Sequence, residues 1–321
     1  MNRAHRVLGL ISALTAFAPT AFAVINGEAA NDARYAAVGS IWVRGKLTCT
    51  ATLVSSKWIV TAEHCTGQAE ESDEEGGGKL LPPSAYEFRL GIDSKNPEFK
   101  IKLKRWVSAP EISVAVEGEA VSQQLDLAFG ELTKDAPLEK LKTRAIRPLS
   151  QSWTPGDLAA DYTHISYGAR QPFGESKSPL NGKRQLARFK ATSASGNALL
   201  NLYGDVAALE AAIHAYHSKE IDLELEEIDR ILKNGELIEN YNVHVWDPRG
   251  RSDLSHVTKP EAGWQDTCFG DSGGPLFRES DGEVRIVGVA SHGMNGTCAS
   301  LGTVFTTFGP KIQDLMKELG I

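Results

Sequence analysis

From Val24 to about Lys190 the chain alternates short β-type runs with polar, Gly- or Pro-containing turns. Val38–Val43, Thr50–Leu53, Trp58–Thr61, Tyr86–Leu90, Lys100–Val107 and Leu125–Leu132 are each of strand length. The pattern resumes at Val284–Ser291 and Thr303–Phe308. Many short strands at regular spacing predict an all-β barrel or sandwich.

Two stretches interrupt the pattern. Residues 70–79 form an acidic, Gly-rich loop. From about Asp205 to Lys233 the period becomes helical, within a segment of roughly residues 197–240. Val206, Leu209, Ile213 and Tyr216 share one face of a first helix, with Asp205 as N-cap. Ile221, Leu225, Ile228 and Leu232 share a face of a second, which Gly235 terminates. Ile312, Leu315, Met316 and Leu319 outline a C-terminal amphipathic helix, and no internal repeat is present.

Ahead of all this, Arg3 and Arg6 precede an apolar run from Val7 to Ala18 and the triplet Ala21-Phe22-Ala23. A positive start, a short apolar core and a small-residue cleavage site predict a secretory signal peptide over residues 1–23 and a mature domain over 24–321. The apolar run is too short for a comfortable membrane span, so no anchor is expected once the signal is removed. The expected location is periplasmic or outside the cell. Four cysteines follow, Cys49, Cys65, Cys268 and Cys298. In an oxidising compartment an even count favours two disulfides, and three connectivities are open. No Cys-x-x-Cys or His-x-x-x-His spacing near them suggests a metal. A net charge of −7 argues against a nucleic-acid partner.

Serine-based acyl transfer needs a hydroxyl, a base to take its proton, an acceptor to orient the base, and backbone donors for the oxyanion. Gly270-Asp271-Ser272-Gly273-Gly274-Pro275 supplies the hydroxyl in a glycine-rich turn. Six specified positions arise by chance in only about one chain in 10⁵ at average residue usage. Thr61-Ala62-Glu63-His64-Cys65 supplies a base, though a lone histidine after a strand is usually structural. Leu125-Asp126-Leu127-Ala128 supplies a carboxylate inside an apolar strand, where burial demands a partner.

With these three motifs in the order His, Asp, Ser, the chain resembles the chymotrypsin/trypsin-like serine proteases. One position departs, Glu63 standing where the family usually has alanine. The resemblance implies two packed six-stranded antiparallel β-barrels with a C-terminal helix, the helical stretch being an insertion. It implies catalysis by His64, Asp126 and Ser272, with Gly270 and Ser272 as oxyanion donors. It also implies Cys49–Cys65 and Cys268–Cys298 pairing, and no metal or organic cofactor. The expected partners are a protein or peptide substrate and, as a second class, a protein inhibitor.

Family members usually begin with two apolar residues whose freed α-amino group pairs with the aspartate before the nucleophile. Val24-Ile25-Asn26-Gly27 follows Ala23 directly, so signal cleavage itself would liberate Val24 to pair with Asp271. Asp266, six residues before Ser272, resembles the acid at the base of an Arg/Lys-selective pocket. Ser291-His292-Gly293 resembles the strand that binds substrate backbone, with His292 replacing the usual tryptophan. Either Thr303 or Gly302 takes a pocket-wall position usually held by glycine; threonine would narrow the pocket and favour small or apolar side chains. The insertion is either a packed surface element or an exosite or lid that restricts which proteins enter the cleft. A rival from another class is a non-catalytic binding protein that grips its partner with the insertion.

Overall fold

The computed structural model describes residues 24–67, 80–116, 119–149, 153–169, 180, 182–217, 225–250, 263–280, 282–293 and 301–321. The anticipated signal peptide, the acidic loop at 70–79 and Cys298 lie outside the described residues.

Six strands form the first barrel: β1 (Val38–Val43), β2 (Lys46–Leu53), β3 (Trp58–Thr61), β4 (Tyr86–Leu90), β5 (Phe99–Ser108) and β6 (Ala128–Leu132). They run β1-β2-β3-β6-β5-β4, all antiparallel, and β4 pairs back onto β1. The β1–β2 hairpin closes at Val43↔Lys46. Its two turn residues, Arg44 (φ 49°) and Gly45 (φ 80°), have the positive φ values of a type I′ turn, whose twist suits the strands.

The second barrel uses β7 (Asp161–Ser166), β8 (Gln185–Ser193), β9 (Asn242–Trp246), β10 (Pro275–Ser280), β11 (Glu283–Gly293) and β12 (Thr303–Thr307). Its order, β7-β8-β9-β12-β11-β10, repeats that of the first, and it too closes, β10 on β7. Closure leaves neither barrel an unpaired edge along its wall.

Alternation builds the cores. Along β4, Tyr86, Phe88 and Leu90 point inward while Glu87 and Arg89 stay half-exposed. Ile41, Ile59, Phe88, Ile101 and Phe129 fill the first barrel. Tyr162, Phe189, Val243, Val287 and Phe305 fill the second. Ile165, Tyr167, Phe277, Ile286 and Val289, from the second barrel, join the first core and make the junction. There the buried Tyr167 hydroxyl lies 2.6 Å from the Gly91 carbonyl and 3.0 Å from that of Val38.

Two single features differ from the strand pattern. β6 begins at Ala128, so Asp126 is not inside a strand. The Leu127 amide donates to the Leu125 carbonyl (2.8 Å), a γ-type turn that swings the Asp126 side chain out of the barrel wall. The hairpin Glu111–Val116/Glu119–Gln124, which projects from the loop before Asp126, had no clear sequence signal.

Five helices complete the described chain: α1 (Pro155–Leu158), α2 (Ala198–Tyr203), α3 (Val206–His217), α4 (Leu225–Asn234) and α5 (Pro310–Leu319). The insertion between β8 and β9 carries α2–α4. Asp205 caps α3 through its side chain to the Ala208 amide (2.8 Å), and the Gly235 amide closes α4 on the carbonyls of Ile231 and Leu232. Leu209 and Ile228 are buried as the period predicted, but Val206 is 38% exposed and Ile231 is the most deeply buried described residue of α4. The insertion has its own small core, in which Ala198, Leu199, Leu209, Ile231 and Leu237 pack on Leu301 and Val304 at the start of β12. At the other end of the chain, α5 seats buried Ile312 and half-buried Leu315, Met316 and Leu319 on the first barrel.

Candidate active site

A 3₁₀ turn, Glu63–Cys65, follows β3 and carries His64. Cys65 is disulfide-bonded to Cys49 on β2, which ties the turn to the barrel wall. His64 Nδ1 lies 2.9 Å from Asp126 Oδ2 and 3.1 Å from Oδ1, and the His64 amide donates to Oδ1 at 3.0 Å. The Ser291 hydroxyl donates to Oδ2 at 2.5 Å. A carboxylate only accepts, so Nδ1 carries the proton and Nε2 of the neutral ring is left as the basic atom.

Electrostatics follow the geometry. Burial alone would raise the Asp126 carboxyl; hydrogen bonds from His64 and Ser291 and the His64 charge outweigh it and hold it below the usual range. Burial alone would lower His64, yet the Asp126 bond and charge, with a further contribution from Glu63, raise it.

The glycine-rich turn that carries Ser272 runs from Cys268 into β10, and the first barrel pins it through Thr50. The Thr50 amide donates to the Ser272 carbonyl (2.9 Å), and its hydroxyl to the Gly270 carbonyl (3.0 Å). Gly273 is required where the turn meets β3: a Cβ there would sit 2.0 Å from Thr61 Oγ1 and 2.8 Å from the Ala62 amide. The chain at Ser272 therefore passes against the strand that delivers His64. Among the described residues no hydrogen bond joins the Ser272 hydroxyl to His64, a contact often long before substrate binds. Nor, among them, does any acceptor take the amides of Gly270 or Ser272.

Asp266 lies beneath this turn, 3% exposed. Its Oδ1 accepts from the Thr267 amide (2.8 Å) and the Thr303 hydroxyl (3.2 Å), and Thr267 and Thr303 share a 2.6 Å bond between hydroxyls. Thr303, not Gly302, is thus the residue beside the acid. Gly302 backs onto His244, where a Cβ would be 2.4 Å from Nε2. Thr267 was not singled out from the sequence; its position next to Asp266 was the available signal. Phe269, 51% exposed beside Gly270, was also overlooked.

Asp271 is buried and points away from the cleft, accepting from the amides of Gly168 and Cys268 at 2.8 Å each. Burial pushes its carboxyl up to about 7 against those bonds. Among the described residues no cation pairs with it. Val24 is fully buried in the second core with φ 60°, a conformation costly for a β-branched residue, and the Ile25 amide donates to the Asp266 carbonyl at 3.0 Å. Cys268 is disulfide-bonded. Cys49, His64 and Cys65 bring metal-type atoms together, but both sulfurs are tied up in the disulfide and His64 in its pair with Asp126.

Two like-ordered closed barrels meet at a histidine–carboxylate pair and a glycine-cradled serine, the side-chain types that serine-based acyl transfer uses. The Trypsin family model matches residues 24–154 and 233–314, and the chain belongs to that family of serine proteases. The unmatched stretch between those segments contains β7, β8 and most of the insertion, so the second barrel closes through strands the match does not cover.

Proposed function

We propose that the chain is an exported serine endopeptidase with Ser272 as nucleophile, His64 as base then acid, and Asp126 as the group that orients His64. The bond of His64 Nδ1 to Asp126 carries this reading, because it fixes the tautomer whose Nε2 can take a proton. Ser272 Oγ attacks the peptide carbonyl as its proton passes to Nε2. The oxyanion is met by the Gly270 and Ser272 amides. The proton then goes to the departing amine, and a water, activated in the same way, releases the acid from Ser272. Ser291 and Gly293, at the end of β11, hold the substrate backbone.

In this reading Asp266, a buried carboxylate six residues before Ser272, selects Arg or Lys by the attraction between its charge and a cationic substrate side chain. The Thr303 hydroxyl on Asp266 favours a second reading, a shortened pocket suited to small side chains. Fluorogenic peptides ending in Arg, Lys, Ala or Phe separate the two. The first expects Arg and Lys cleavage, lost in Asp266→Ser and increased in Thr303→Gly. Ala cleavage unaffected by Asp266→Ser would establish the second. Ser272→Ala should cut turnover by about 10⁴-fold or more and abolish labelling by a covalent serine probe. A wild-type chain starting at Val24 that neither cleaves nor labels would instead favour a binding protein.

Activation fits removal of residues 1–23. The cut would relieve the strained φ of Val24 and free an ammonium group for Asp271, a buried carboxylate lacking a cation among the described residues. The family match also begins at Val24. One extra residue before Val24 should leave the protein folded but nearly inactive; full activity would refute this step.

A further inference from the structure

The ring of His292 bridges two parts of the molecule that the reaction above keeps separate. Its Nδ1 lies 3.0 Å from Ser291 Oγ, and its Nε2 lies 3.1 Å from the carbonyl oxygen of Asn234, the last residue of α4. Ser291 Oγ in turn reaches Asp126 at 2.5 Å, and Asp126 holds His64. An unbroken line of polar contacts therefore joins the helical insertion to His64.

The protons along this line are one too few. The Asn234 carbonyl only accepts, so Nε2 must carry hydrogen to bond it. Asp126 only accepts, so the one hydroxyl proton of Ser291 must point at Oδ2 to bond it. With a neutral ring, Nδ1 is then bare and faces Ser291 Oγ across 3.0 Å with no proton between them. Either Ser291 turns its proton toward Nδ1 and deprives Asp126, or the ring moves its proton to Nδ1 and drops Asn234.

We propose that His292 is a positioning residue that couples the seat of the insertion to Asp126, because docking of Asn234 on Nε2 leaves Nδ1 competing for the proton Ser291 gives Asp126. This deepens the proposed reaction and rests on it for its catalytic meaning, though not for its geometry. Hydrogen bonds to a charged acceptor are the stronger kind, so what Asp126 loses to this competition is felt at His64. Less donation from Ser291 leaves Asp126 more basic, and a more basic Asp126 holds a proton on His64 more firmly.

The ring is exposed at one side, yet the atoms packed against it disfavour its charged form. Burial lowers His292, against the Asn234 bond and the Asp126 charge, while His64 is raised. Among the described residues, the other titratable groups whose charges reach His292 are His64 and His244. His244 is itself buried and lowered to about 4, hence neutral across the same range. His64 therefore titrates while His292 is deprotonated and the competition operates.

The insertion is held where a shift at α4 would reach this ring. Ile231 and Leu237 pack with Val304, and Val304 pairs with His292 in the β11–β12 ladder. Loosening that seat should release Asn234, let His292 carry its proton on Nδ1, and return the Ser291 proton to Asp126.

The test is the titration of His64, read by NMR from its ring protons in the full chain carrying Ser272→Ala, which needs no turnover. His292→Phe removes the competitor and should lower the His64 pKa by about half a unit, about threefold in protonation ratio. Ile231→Ala should lower it in the same direction, and Leu237→Ala is the alternative where Ile231→Ala does not fold. In the His292→Phe background the insertion variants should have no further effect. An Ile231→Ala shift that is absent, or that persists in full without His292, overturns the coupling. Failure of the unmodified protein to cleave or label would overturn the proposed reaction but leave this titration readable.

Discussion

Glu63 stands beside His64 where the family usually has alanine, and its two oxygens have different surroundings. Oε1 accepts from Ser108 (2.8 Å) and Thr66 (3.3 Å), whereas Oε2 is buried with no hydrogen-bond partner among the described residues. Burial raises its carboxyl, and its charge contributes to raising His64. Removing that charge destabilises the protonated imidazole, so the His64 pKa falls. Glu63→Ala should therefore move the acid limb of kcat/KM to lower pH by about a few tenths of a unit, in a pH–rate profile. An unmoved limb would mean that Glu63 is protonated across that range. Thr303 is a second residue whose type changes the chemistry: a hydroxyl on Asp266 satisfies part of an acid that a glycine would leave to the substrate.

At the scale of elements, the 3₁₀ turn bearing His64 depends on the Cys49–Cys65 bridge, which closes a loop with a sequence separation of 16. Opening such a loop frees the unfolded chain by about 3 kcal/mol. The double variant Cys49→Ala/Cys65→Ala should lose roughly that much in denaturant unfolding and lose turnover as the turn loosens. β1, β3 and β4 were legible to the residue, since each is a compact β-type run between polar turns. The three motifs were legible because their chemistry constrains residue type at every position. The bend at Asp126 was not, since Leu-Asp-Leu-Ala reads equally well as strand and only the turn between Leu125 and Leu127 breaks it. Helix α2 was also missed. Its signal was Asn197, whose side chain caps the amides of Leu199 and Leu200, but a helix of 6 residues, less than two turns, leaves too short an apolar period to register. The bridge from His292 to Asn234 spans a sequence gap of 58 residues, which no local pattern encodes.

For the whole molecule, the proposed maturation at Val24 would be linked to acidity through Asp271. Its carboxyl is near 3.8 in an unfolded chain and about 7 in the fold described here, so between those values the folded state holds the extra proton. An uncleaved chain should lose stability as pH rises from about 4 to 7 and change little from this group above that. Melting temperatures of the uncleaved Ser272→Ala protein across this range check it, and Asp271→Asn should flatten the trend. A chain freed at Val24 should show a weaker decline, because the ammonium favours the charged carboxylate.

In the proposed reaction each barrel holds part of the reaction centre. His64 and Asp126 come from the first barrel and Ser272 from the second, with Thr50 of the first gripping the Ser272 and Gly270 carbonyls of the second. A half-folded molecule therefore contains no working blade. On that reading, during refolding or thermal damage the unravelled members of a population would be prey for intact neighbours and would not themselves cut. Self-digestion in such a mixture should slow when both halves are lost from many molecules, and it should be fastest while folded and unfolded chains coexist.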